Sequence, residues 1–245
     1  MTSADALLHP NAENRQSNVK RVAICQSNYI PWKGYFDLIR SVDEFILFDT
    51  AQYTRNDWRN RNQIKTRSGV AWMSIPIKNH FKQTVLEAEV NDSSWNKRHW
   101  KTLIQHYARA QYFEMYRSRF EELYMGSEAK QLSHVNHRFL VAICQLLEIK
   151  TRFTWSSDYP EIEDKTERLV HWCRLLNATE YVSGPAAKAY IDECRFSDAG
   201  IQLRYMDYSA YPEYNQLYPP FQHAVSIVDL IFNEGPNATR YMKSF

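Results

Sequence analysis

The strongest constraint on the fold is a pair of short apolar runs near the start of the chain, VAIC at residues 22–25 and FILF at 45–48. Both runs are continuously apolar, which is typical of parallel strands whose two faces are covered by helices. Between them, apolar side chains within residues 35–42 recur at the spacing of one helical face. The chain is therefore predicted to open with a strand–helix–strand unit.

The rest of the chain extends this pattern. Residues 70–77 predict a third strand and residues 85–90 a fourth, and helices are then predicted within about residues 92–148. Strands and helices alternate after that, with strands predicted at 151–155, 180–183 and 200–206 and helices at 166–176, 186–196 and 223–233. This order predicts an α/β fold with a mainly parallel sheet flanked by helices and a helical insertion at about 92–148. We expect residues 1–20 to form a disordered polar tail and residues 21–245 a single domain.

Composition narrows the class of protein. Of the 245 residues, 44% are hydrophobic and 24% are charged, which is typical of a globular domain. The formal net charge of +2 leaves nucleic acid a possible partner without favouring it. The four cysteines form no CxxC pair and predict free thiols in a reducing compartment. Because no apolar run reaches the length of a membrane helix and the first residues lack a signal-peptide core, we expect a cytoplasmic protein without membrane insertion.

Polar residues follow three of the predicted strands. Gln26, Asp49 and Ser183 each come at the end of an apolar run, and the carboxyl ends of parallel strands meet at the sheet edge where ligands bind. We therefore predict that they share a crevice lined by Tyr29 and Trp58. The loops after the first and the last of these residues lead into predicted helices, whose starts favour an anionic or nucleotide-bearing small molecule. An aspartate at a strand end can equally cap a neighbouring backbone, and the residues alone leave that alternative open.

A basic and aromatic segment, RNDWRNRNQIK at residues 55–65, is a second candidate. Arg59 and Arg61, with Asn60 between them, could clamp a phosphate through paired hydrogen bonds, or the segment could be a solvated loop. Lys97 lies in a predicted helix, where a lysine could neutralise a phosphate or simply face solvent.

Familiar catalytic and metal-binding motifs are absent from the sequence. His134 and His137 lie one helical turn apart but have no HExxH motif, cysteine cluster or carboxylate partner, so no metal site is predicted. The GxSxG, Walker A and GxGxxG motifs are missing too. The residues identify no cofactor and no oligomeric state.

Several motifs, taken in order, resemble the WbqC-like family of bacterial proteins: AICQSNYIPWKGYFDLI, FDTAQYTRNDWRNRNQI, WNKRHWK, YVSGPAAKAYID and YNQLYPPFQHAVSIVDLIFNEG. The resemblance covers about residues 21–235. Ser27 departs from the pattern, since the family usually has a proline after the glutamine that ends its first strand. The resemblance implies an association with gene clusters for O-antigen and other surface polysaccharides, and it implies no particular reaction.

A looser resemblance concerns the layout of the sheet. A strand, a loop, a helix that begins near a glycine and a late serine-containing loop are similar to the plan of the HxGH nucleotidyltransferases, a Rossmann-like layout, with PWKGY in the position of the signature. The signature histidines are missing from this chain. The resemblance therefore implies nucleotide binding rather than nucleotidyl transfer by the usual mechanism.

Together these features predict a transferase of bacterial polysaccharide or related glycoconjugate synthesis, acting on a nucleotide-activated sugar or with an activated acyl or aminoacyl donor. Asp49 would act as a general base, while the two arginines and Lys97 would neutralise phosphate. Two alternatives stay open: a non-catalytic module that binds RNA or protein, and a nucleotidyltransferase-like nucleotide-binding enzyme. The predicted catalytic residues are Asp49 and Lys97, and the predicted substrate-binding residues are Gln26, Tyr29, Trp58, Arg59, Asn60, Arg61, Ser183 and Gly184.

Overall fold

The computed structural model describes residues 19–78 and 82–245, so most of the tail predicted over residues 1–20 lies outside the described residues. Five parallel strands form one sheet and two antiparallel strands form a separate hairpin. The strands are Arg21–Cys25 (β1), Glu44–Leu47 (β2), Arg61–Thr66 (β3), Gly69–Ser74 (β4), Arg152–Trp155 (β5), Glu180–Ser183 (β6) and Gln202–Tyr205 (β7). The order across the parallel sheet is β5-β2-β1-β6-β7. The predicted α/β class with a parallel sheet is confirmed.

Seven α-helices accompany these strands in the described part of the chain. They are Lys33–Arg40 (α1), Trp95–Tyr107 (α2), Phe113–Met125 (α3), Leu132–Leu146 (α4), Lys165–Leu175 (α5), Glu193–Asp198 (α6) and Ile227–Glu234 (α7). None of these helices combines the length and the apolar character needed to cross a membrane.

The two central strands are continuously apolar because helices cover both of their faces. Ala23 and Phe45 point into one hydrophobic cluster, which also contains the buried residues of α1, α4 and α7. Val22, Ile24 and Ile46 point into a second cluster, formed with α5 and α6. Alternate residues of a strand face opposite sides of a sheet, so both sets must be apolar.

The hairpin corrects the prediction for residues 55–77. The predicted third strand corresponds to β4, but its partner β3 lies in the segment that the sequence indicates as polar, and neither strand joins the parallel sheet. The polar residues of β3 are satisfied by distant parts of the chain. Asn62 Nδ2 donates to the carbonyl of Tyr29 at 3.1 Å, and the backbone N–H of Lys65 donates to Tyr107 Oη at 2.9 Å. Such tertiary partners leave no periodic signal in the local sequence.

Other predicted boundaries also differ from the structure. Residues 85–90 form no strand; residues in and beside this stretch make single bridges, such as Ile77 with Val90. The helix predicted at 186–196 is a 3₁₀ turn at Pro185–Ala189 followed by α6. A new helix starts there because the side chain of Asp192 accepts a hydrogen bond from the N–H of Cys194 and caps it.

Candidate functional site

The order of the strands reverses between β1 and β6, which are neighbours in the sheet although β2 follows β1 in the chain. Ligands of open parallel sheets bind at the carboxyl end of such a reversal. Gln26 follows β1 directly and Ser183 ends β6, so both lie at this end. Asp49 lies there as well, because its Oδ1 accepts the backbone N–H of Ser27 at 2.8 Å.

The loop after β1 is held in place by hydrogen bonds from two other segments. The N–H of Tyr29 donates to the carbonyl of Trp58 at 3.0 Å, and the N–H of Ile227 donates to the carbonyl of Pro31 at 2.9 Å. Ser226 Oγ donates to the carbonyl of Ile30 at 2.6 Å. These bonds impose a φ of +37° on Ile30, a left-handed conformation that a β-branched residue rarely adopts. Such strain is concentrated at ligand-binding sites and switches in proteins.

A cavity of about 240 Å³ opens between this loop and the hairpin; we call it the indole cavity. It is lined by Asn28, Pro31, Trp32, Trp58, Asn62 and Ala224. Trp32 is fixed by edge-to-face contacts with Tyr208 and Tyr211, at ring-centroid distances of 5.2 and 5.5 Å. Gly34 is required beneath that indole, because a Cβ at this position would overlap the ring.

A second cavity of about 480 Å³, the edge cavity, lies on the other side of the carboxyl edge, between the sheet and the start of α5. Its lining includes Phe48, Gln52, Lys165, Arg168 and Tyr190. The guanidinium of Arg168 lies 5.3 Å from the ring centroid of Phe48, and the side chain of Tyr190 is exposed. The cavity therefore combines two cations and aromatic rings with one carboxylate, that of Glu163.

Gln26 and Arg59 form a bridge between the two cavities. Gln26 Nε2 donates to the carbonyl of Gln52, which lines the edge cavity, at 3.3 Å. Arg59 Nη2 donates to Gln26 Oε1, and Arg59 Nη1 donates at 3.3 Å to Oδ1 of Asn28, which lines the indole cavity. Arg59 is also paired with Asp57 at 3.5 Å. A fixed guanidinium thus lies between two concave sites.

Asp49 is fully buried and joins the sheet edge to α4. Its Oδ2 accepts a hydrogen bond from Ser133 Oγ at 2.5 Å, and Ser133 in turn accepts one from Trp155 Nε1 at 3.1 Å. Burial raises the pKa of the Asp49 carboxyl, while the hydrogen bonds from Ser133 and Ser27 oppose the rise. A raised pKa would suit a general base. However, the carboxylate has no exposed surface for an acceptor to reach.

Tyr29 is likewise buried rather than open to a ligand. Its hydroxyl contacts His99 Nδ1 and Tyr124 Oη, each at 2.8 Å. Burial lowers the pKa of His99 to about 4, so the imidazole is neutral at neutral pH. Its Nε2 then donates to the carbonyl of Ser74 at 3.1 Å, and Nδ1 accepts from Tyr29. The tyrosine fixes the loop against α2 and does not line the predicted crevice.

The remaining predicted site residues outside the sheet edge differ in how far they are exposed to solvent. Trp58 is 40% exposed, and its ring centroid lies 5.3 Å from that of Trp72. The guanidinium of Arg61 lies 4.0 Å from the Trp72 ring centroid. Asn60 is buried, and its Nδ2 donates to the carbonyl of Ile75 at 2.8 Å. Lys97 lies on the exposed side of α2, opposite the buried face of that helix.

Ser183 and Gly184 remain at the sheet edge without lining either cavity. Ser183 is buried, and its carbonyl accepts the N–H of Met206 at 2.8 Å. Gly184 precedes a 3₁₀ turn of five residues, Pro185–Ala189, rather than a long helix. The sequence led us to expect an anion site at the start of a helix after β6, but the structure has only this short turn there.

Several residues of the cavities were not predicted from the sequence. Asn28 and Trp32 belong to the loop after β1, and their proximity to Gln26 in the chain was the signal that could have found them. Lys165 and Arg168 lie in a helix far along the chain, where lysine and arginine are common on surfaces, so no local pattern marks them. Among the described residues, no group of three or more His, Cys, Asp or Glu side chains could hold a metal ion.

Comparison with known proteins identifies the family. The model of the WbqC-like protein family matches residues 26–241. The uncharacterized protein Rv1507c of Mycobacterium tuberculosis is 46% identical over 227 residues, which cover 92% of this chain and 98% of that protein. No solved structure matches the chain. The family match across most of the chain and the high identity to this relative agree with the order of motifs around the sheet edge, and the chain belongs to the WbqC-like protein family.

Proposed function

We propose that this protein is a transferase of polysaccharide or related glycoconjugate synthesis, with a nucleotide-activated sugar or an activated acyl or aminoacyl group as donor. The observation that carries the proposal is the position of Arg59 between two cavities at the carboxyl edge of a parallel sheet. Group transfer requires two substrates to meet, and a fixed guanidinium at their junction would neutralise a phosphate and hold it there.

Asp49 and Lys97 take different places in this proposal. We assign Asp49 the role of positioning the loop after β1, because both of its oxygens accept protein hydrogen bonds and it has no exposed surface. The general-base role predicted from the sequence would require that loop or α4 to move away. The side chain of Lys97 is exposed on α2, and its role as a phosphate ligand stays a prediction.

The test is a binding screen with nucleotide sugars, acyl-CoA, nucleoside triphosphates and tRNA, read as a rise in the melting temperature and confirmed by calorimetry. For the ligand that binds, Arg59→Ala should weaken affinity about tenfold to a hundredfold, since a charged hydrogen bond to phosphate is worth roughly 1.5–3 kcal/mol. Arg55→Ala, an exposed arginine in the same segment, is the matched control and should retain affinity. If wild type and Arg59→Ala bind that ligand with equal affinity, Arg59 does not contact its phosphate and the proposal is refuted.

A second candidate function is supported by the exposed aromatic residues of the hairpin. Trp58, Trp72 and Arg61 form an aromatic and cationic surface, which suits stacking of unpaired RNA bases. The same screen separates the candidates, because tight binding of tRNA without any donor molecule would favour the RNA-binding module. A nucleotidyltransferase-like enzyme would instead bind a nucleoside triphosphate.

A further inference from the structure

We infer that the indole cavity binds one uncharged sugar ring. The inference deepens the proposed function by naming the part of the substrate that enters this cavity, and it rests on that function only for the identity of the whole substrate. The cavity is lined by two indoles, two carboxamides, a proline and an alanine, and none of these six side chains carries a charge.

The lining matches the two surfaces of a pyranose. The C–H groups on a face of the ring are apolar and pack against an aromatic side chain, whereas the hydroxyl groups around its edge need partners that both donate and accept. Indoles provide the first kind of contact and carboxamides the second. Trp32 and Trp58 thus form the apolar part of the lining, and the carboxamides of Asn28 and Asn62 form its polar part. A phosphate or carboxylate would find no charge in the lining.

One carboxamide is available and the other is fixed. Asn28 accepts a hydrogen bond from Arg59 through its Oδ1, and its Nδ2 has no hydrogen-bond partner in the part of the chain that the structure describes. Asn62 donates to the carbonyl of Tyr29 and accepts the N–H of Gln63 at 2.8 Å, which sets the plane of its amide. Asn28 is therefore the side chain that would bind the sugar hydroxyl groups, against a rigid wall.

The volume and surroundings of the cavity limit the size of its ligand. At about 240 Å³, it is smaller than typical sites for drug-sized molecules, which start near roughly 300 Å³, so it accommodates a single ring rather than a nucleotide. The walls are already positioned by the bonds that hold Ile30 and Pro31 and by the rings that pack on Trp32. A preformed site orders few side chains on binding, which favours affinity for a small ligand.

The experiment compares Trp58→Ala with Trp72→Ala. Both tryptophans are similarly exposed, at 40% and 44%, and lie side by side, but only Trp58 lines the cavity. Methyl pyranosides of several configurations are titrated up to about 50 mM, followed by ligand-observed NMR and tryptophan fluorescence. We expect at least one pyranoside to bind wild type, Trp58→Ala to weaken its affinity about tenfold or more, and Trp72→Ala to change it less than about twofold.

Nucleosides and a single-stranded RNA oligomer are titrated in parallel. Absence of pyranoside binding in wild type overturns the inference, as does pyranoside binding that Trp58→Ala leaves unchanged. Nucleoside binding without pyranoside binding would assign the cavity to a base instead. RNA binding that both substitutions weaken equally, without any pyranoside binding, would likewise overturn the inference and assign the exposed Trp58–Trp72 surface to stacking. Pyranoside binding together with failure of every nucleotide sugar and acyl donor would leave the sugar site standing and refute the proposed function alone.

Discussion

At the scale of single residues, Asp49 is a polar residue at the end of a strand whose carboxylate holds neighbouring segments in place. Its carboxylate accepts the N–H of Ser27 and the hydroxyl of Ser133, and Ser27 Oγ accepts a hydrogen bond from Asn136 Nδ2 at 3.0 Å. Asn136 also donates to the carbonyl of Arg59 at 2.9 Å. One buried carboxylate therefore lies at the start of a polar network that links the sheet edge, α4 and the segment that carries Arg59.

Replacing this aspartate should reduce stability. Asp49→Asn retains the size of the side chain but turns one acceptor into a donor that faces Ser27 or Ser133, so we expect unfolding to cost about 1–3 kcal/mol less and the melting temperature to fall. Asp198→Asn, at an exposed position in α6, is the control and should change little. A variant that melts like wild type but turns over a hundredfold more slowly would restore the general-base role predicted from the sequence.

At the scale of elements, Tyr107 joins α2 to the hairpin and to α7. Its hydroxyl donates to Asp229 Oδ2 at 2.8 Å and accepts the N–H of Lys65 at 2.9 Å. The other oxygen of Asp229 accepts hydrogen bonds from Tyr214 at 2.6 Å and from Gln216 at 3.0 Å. Four separate segments thus meet around the buried pair of Tyr107 and Asp229. Burial raises the pKa of the Asp229 carboxyl, and the hydrogen bonds from the two tyrosines and Gln216 oppose the rise.

Removing that hydroxyl should loosen the contact between these elements. Tyr107→Phe leaves a buried carboxylate oxygen and the Lys65 N–H without their partner, and we expect a loss of roughly 1.5–3 kcal/mol in the free energy of unfolding by urea. Tyr116→Phe, at a half-buried tyrosine of α3, provides the comparison and should cost much less. Equal losses in the two variants would mean that the Tyr107 hydroxyl contributes no more to stability than the half-buried hydroxyl of Tyr116.

At the scale of the whole molecule, one hydrophobic cluster spans the sheet and the three helices of residues 95–146. It contains Ala23 and Phe45 from the sheet, Leu103 from α2, Phe120 from α3 and Phe139 from α4. Because these residues share one apolar core, separating the helices from the sheet would expose the same surface that unfolding exposes. That residues 21–245 form a single domain stays a prediction, which this shared core makes testable.

The shared core predicts cooperative unfolding. In a denaturant titration followed by hydrogen exchange and mass spectrometry, peptides from α2–α4 and peptides from β1 and β2 should lose protection at the same midpoint. A lower midpoint for residues 95–146 alone would show that the helices fold as an independent unit.

The sequence by itself determined the parallel sheet. Continuous apolar runs require cover on both faces, and the alternation of strands and helices leaves few other arrangements for them. The same local patterns located the sheet edge, since Gln26 and Asp49 follow two strands that are neighbours in the sheet, and the sequence alone places them near each other.

Only the tertiary structure decided the chemistry at that edge. Whether Asp49 faces a ligand or a protein donor depends on Ser133, which lies 84 positions further along the chain. The polar strand β3 and the fixed conformation of Ile30 likewise depend on distant partners, Tyr107 and Ser226. Periodicity reports which face of an element is buried, but it carries no information about which polar group lies opposite. The cavities exist between segments that meet only when the chain is folded, so local pattern could not predict which segments line each cavity together.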